Sequence, residues 1–92
     1  MGQLICVVGF SKDKDIDAIL ASLPRNARYI FTQASSSRAA DAAMLAQKAQ
    51  ALGLKGEVVE SVAEAVARAK TLATEEDAIF VGGSNFVVAE VL

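Results

Sequence analysis

The feature that most constrains this chain is the regular exchange of two hydrophobic periods. Consecutive apolar positions from Gln3 to Gly9 suit a strand buried on both faces, because neighbouring side chains on a strand point to opposite sides. Ile16, Ile19, Leu20 and Leu23 then recur at helical spacing, and Pro24 closes that helix. Arg28-Tyr29-Ile30-Phe31 is a second short strand. Ser35-Ser36-Ser37 can cap a helix whose apolar line is Ala42, Leu45, Ala49 and Leu52, with Gly53 as the stop.

The exchange continues to the end. Glu57-Val58-Val59 is a third strand, and Ser61 with Glu64 forms a capping box ahead of Val62, Ala65, Val66, Ala69 and Leu72. A Thr74-Glu75-Glu76 turn leads to a fourth strand, Ala78 to Val81; Gly82-Gly83-Ser84 then opens a last segment, Asn85 to Leu92, that begins as a helix. The order β-α-β-α-β-α-β-α predicts an α/β domain: a small, mainly parallel sheet with right-handed crossovers and helices on both faces. With 92 residues there is room for one core. No Pro or bulge signal guards a sheet edge, so we expect a piece of a larger protein, or a partner or second copy on an edge strand.

Composition removes whole classes of function. A net charge of −2 and five aromatics supply neither a basic stripe nor a stacking platform, so no nucleic-acid partner is expected. Apolar runs fall far short of the ~18 residues a membrane span needs, and Met1-Gly2 opens no secretory signal. The absence of histidine rules out histidine bases and histidine-ligated metal. A lone Cys6 forms no internal disulfide, which suits a reducing, cytoplasmic setting. Set between Ile5 and Val7, it reads as a packing thiol rather than the cysteine of a phosphocarrier.

In an open parallel sheet ligands bind beyond the carboxyl ends of the strands. The loops at that edge read GFSKDKD, TQASSSR, ESV and GGSN, whereas the opposite edge carries PRNA, GLKG and TEED. Lys12 and Lys14 oppose the macrodipole of the helix they precede, a local cost that favours a site, while Asp13, Asp15 and Asp17 could hold a metal or simply favour the helix start. Thr32, the serines and Arg38 could cradle an anion or simply cap and solvate a helix, and Ser84 behind two glycines is open to the same two readings. Neither GxxxxGK(S/T) nor GxGxxG occurs.

The ordered set of motifs resembles the C-terminal domain of folylpolyglutamate synthase/dihydrofolate synthase, within the Mur ligase superfamily. The resemblance rests on VVG followed by DKD and DIDAIL, on FTQASSSRA before an alanine-rich helix, on VVESVAEAVARAK, and on DAIFVGGSNFVVAEVL. It implies a Rossmann-like three-layer αβα domain of the Mur ligase C-terminal type, spanning residues 1–92. It further implies an ATP-dependent amide ligase that uses Mg2+ and joins glutamate to a folate or dihydropteroate carboxylate through an acyl phosphate.

By the same resemblance Asp13, Lys14 and Asp15 match the family's DKD segment, Thr32 and Arg38 match the loop after the second strand, and Gly83 and Ser84 match its GS turn. Substrate and nucleotide contacts are expected there, and no metal ligand. The family's DGAHNP segment and the strand bearing it have no counterpart here. We therefore expect a fragment, inactive without a central domain that brings the P-loop and the metal ligands. The alternative is a free-standing doubly wound binding or phosphocarrier module without ligation chemistry.

Overall fold

A computed structural model describes residues 2–13, 15–33 and 38–83 of the chain. Its elements alternate as expected: β1 (Leu4–Gly9), α1 (Ile16–Ser22), β2 (Arg28–Phe31), α2 (Ala42–Ala51), β3 (Lys55–Val58), α3 (Val62–Leu72) and β4 (Ala78–Gly83). The expected helical segment from Asn85 to Leu92 lies outside the described residues.

All strand pairs are parallel, in the order β3-β2-β1-β4. Two crossovers step one way, from β1 to β2 to β3, and the third returns past β1 to β4. Crossovers of one hand then place α1 and α2 on one face and α3 on the other. The packing agrees. Cys6, Val8, Tyr29 and Phe31 meet Leu20, Leu45 and Ala49 on one side, while Ile5, Val7 and Ile30 meet Ala65 and Ala69 on the other. This is why the β1 run is apolar at consecutive positions: both of its faces are interior.

Local chemistry sets the element ends. Asp15 caps α1, its carboxylate accepting from Ala18 N at 3.3 Å, and the helix stops just before Pro24. Ser61 caps α3 by accepting from Glu64 N. At the end of α2, Gly53 takes a positive φ of 82°, and its N–H and that of Leu54 turn back to the carbonyls of Gln50 and Ala49.

One cap differs from the expectation. Asp41, not the serine run, caps α2 by accepting from Ala43 N, and Gln33 Oε1 accepts from Ala42 N at 2.9 Å. Asp41 stands directly before the first helical residue, whereas Ser35–Ser37 end four residues short of it. The strands at the sheet margins also shift: β3 begins at Lys55 rather than Glu57, and β4 continues through Gly83.

Candidate functional site at the carboxyl edge of the sheet

The crossover direction reverses at β1, so the crevice outside the carboxyl ends of β1 and β4 is the topological switch point. Gly9 and Gly83 are register partners at that position. Both are glycines, so neither strand end places a side chain of its own at that position.

The loop after β1 is held firmly. Phe10 and Ser11 are buried, and Ser11 forms an isolated antiparallel bridge with Ala39. Lys12 N donates to Arg38 O at 2.7 Å, and Ala40 N donates to Phe10 O at 2.8 Å. A short ribbon thus ties the β1 loop to the β2 loop. It brings the segment holding Asp13 beside the segment holding Arg38, as the shared edge predicts. Ser11 Oγ donates to Asp13 Oδ1 at 2.6 Å and fixes that carboxylate relative to the loop.

The other expected site residues occupy distinct places. Asp15 is exposed but engaged as the α1 cap. Thr32 is fully buried, and its hydroxyl donates to Glu60 O at 3.0 Å, joining the ends of β2 and β3. Gly83 ends β4. Lys14 and Ser84 lie outside the described residues.

Ser11 and Gln33 organise this edge, yet reading the residues alone missed them. Their partners Ala39 and Ala42 are 28 and nine residues away, a distance over which periodicity is silent. Asp41 did carry a signal, an Asp directly ahead of an alanine-rich helix.

The Ser11 hydroxyl proton is committed to a carboxylate, and the sequence holds no histidine to act as its base. Among the described residues no group of three or more His, Cys, Asp or Glu side chains could hold a metal ion. No helix of the described residues is long and apolar enough to cross a membrane.

A small parallel sheet between two helical layers, with its polar loops gathered at the carboxyl edge, defines a Rossmann-like α/β domain. Residues 2–85 match the family model described as Mur ligase, glutamate ligase domain. The chain belongs to that family.

Solved structures agree in fold. Escherichia coli FolC in complex with DHPP and ADP is 32% identical with a TM-score of 0.87, over 99% of this chain and 21% of that one. A bifunctional folylpolyglutamate synthase/dihydrofolate synthase from Yersinia pestis, complexed with AMPPNP and Mn ion, is 27% identical with a TM-score of 0.81, over 98% of this chain and 21% of that one. Mycobacterium tuberculosis folylpolyglutamate synthase, complexed with ADP and AMPPCP, is 26% identical with a TM-score of 0.78, over 96% and 22%. This chain therefore spans about a fifth of the length of these enzymes. No match is found among curated proteins. The fold is that of the Mur ligase C-terminal domain.

Proposed function

We propose that this chain is the C-terminal domain of an ATP-dependent ligase that joins glutamate to the carboxylate of a folate or dihydropteroate. The observation that supports this reading most is the likeness, over 99% of the chain, to an enzyme bound to DHPP and ADP.

The chemistry explains the need for ATP, since a carboxylate is a poor electrophile. One of its oxygens attacks the γ-phosphorus of ATP, the bond to ADP breaks, and an acyl phosphate forms. The deprotonated amine of glutamate then attacks the carbonyl carbon, and inorganic phosphate leaves with the C–O electron pair. Both steps develop negative charge, which fixed cations and dipoles offset.

The carboxyl edge of this domain would close over a site whose reacting groups are held by another domain. Closure would exclude water and orient the ligands. Lys14 and Arg38 are the cations matched to the family's motifs. In our proposal they face phosphate or the incoming glutamate, while Asp13, held by Ser11, orients them. Gly83 and Ser84 offer backbone amides and a hydroxyl to the amino-acid substrate. Asp15 and Thr32 support the edge from behind, as a cap and as a strand-to-loop tie. Magnesium is given no step through these residues.

Lys14→Ala in the polypeptide that carries this domain tests the assignment. We expect kcat/KM for ATP or glutamate to fall ~10-fold or more, a loss of about 1.4 kcal/mol of transition-state stabilisation. The urea midpoint should hold, because the assignment gives Lys14 a role toward ligand and none in the fold. Unaltered kinetics would return the charge cluster to a solvated helix start.

A further inference from the structure

The opposite edge of the sheet carries a different feature. An open hollow of about 490 Å3 is lined there by residues that include Gln3, Arg25, Asn26, Arg28, Lys55 and Glu57. Arg28 begins β2, Lys55 begins β3, and the two are register partners on adjacent parallel strands. Like charges directly opposite one another destabilise a sheet. Arg25 stands in the turn just before β2 and adds a third cation.

The acid of this lining is shared with a cation outside it. Glu57 Oε1 already accepts from Arg68 Nε at 2.8 Å. Among the described residues, no hydrogen bond or ion pair engages the side chains of Arg25, Arg28 or Lys55. Three cations, none of them paired among the described residues, thus face one hollow together with a single acid in a chain whose net charge is −2.

Two of these cations are arginines, whose planar forks match the paired oxygens of phosphates and carboxylates. Gln3 and Asn26 add neutral amides. The volume falls within the ~300–1,000 Å3 of ordinary small-molecule sites.

We propose that this hollow binds a small multivalent anion bearing phosphate or carboxylate groups. The site is separate from the carboxyl edge, about 20 Å away along the six-residue β1. It stands independently of the ligase reading. A bound anion would relieve the repulsion between Arg28 and Lys55, so binding should also stabilise the fold.

The test uses the 92-residue chain, labelled with 15N, titrated with pyrophosphate and separately with citrate. Sodium chloride at matched ionic strength is the control. We expect saturable shifts at the amides of Arg25, Arg28 and Lys55, with a midpoint at least ~10-fold lower than in the Arg28→Gln/Lys55→Gln variant. The tighter of the two anions distinguishes phosphate from carboxylate recognition.

Pyrophosphate or citrate should also raise the Tm of the unmodified chain and not that of the variant. Arg25→Gln, outside the strands, replaces the double variant if that one fails to fold. Three results would overturn the proposal: shifts no larger than with chloride, equal affinity in the variants, or saturable shifts confined to Ser11–Asp13 and Arg38–Ala40.

Discussion

Cys6 and Tyr29 are register partners in the core under α1 and α2, and both are held neutral. Burial pushes the Cys6 thiol above its ordinary 9.0. It likewise pushes the Tyr29 hydroxyl above its ordinary 10.0, with the charge of Cys6, once ionised to a thiolate, as the lesser cause. A raised native pKa means the unfolded chain releases its proton first. That stability is fully present below the unfolded value and is lost as pH rises through the native one. Urea midpoints should therefore be level from about pH 7 to 8 and fall above about 9. Cys6→Ala should flatten the fall between about pH 9 and 10; an equally steep fall in that variant would contradict the assignment. The burial of Cys6 was legible from its apolar neighbours alone. Its pairing with Tyr29 was not, because the register of two strands is a tertiary fact.

At the scale of elements, one acidic residue joins the start of the chain to the last described strand. Asp77 accepts from Gln3 N and Thr74 N at 2.8 Å each, and Ala78 N donates to Gln3 O at 3.0 Å. These backbone donors, that of Gln3 first, hold the Asp77 carboxyl below its ordinary 3.8. Its contribution is present above that value and lost as pH falls through the lower native one. Asp77→Ala should speed amide exchange at Gln3 and Thr74 while leaving Ile5–Val8 protected; unchanged exchange at Gln3 would contradict the clasp.

The elements themselves were legible wherever an apolar period marks an interior face. The first half of β3 was not, since Lys55 and Gly56 lie on an exposed sheet margin with no apolar pattern to read. Gly56 has its own reason to be there. A side chain at that position would meet the Phe31 ring at 2.5 Å, so the stacked Tyr29–Phe31 pair occupies that space.

For the whole molecule, the two sheet margins are unlike. Lys55 and Glu57 put charge on β3, which discourages further pairing, whereas on β4 Ile79 is exposed and Phe80 is 54% exposed. The candidate site shows the same division between what a sequence reveals and what it hides. Its proposed location rests on topology and loop composition, and its proposed residues on ordered motifs. The Ser11–Ala39 bridge that brings two of its loops together needed the fold.

In the function proposed above, this domain completes a ligase site whose reacting groups are held by another domain. The direct measurement is ADP release by the polypeptide carrying this domain, given ATP and dihydropteroate or folate, with and without glutamate. We predict glutamate-dependent ADP release, a product equal in mass to substrate plus glutamate minus water, and no turnover by the 92-residue chain alone. Absence of glutamate-dependent ADP release from that polypeptide, or turnover by the isolated chain, would contradict it.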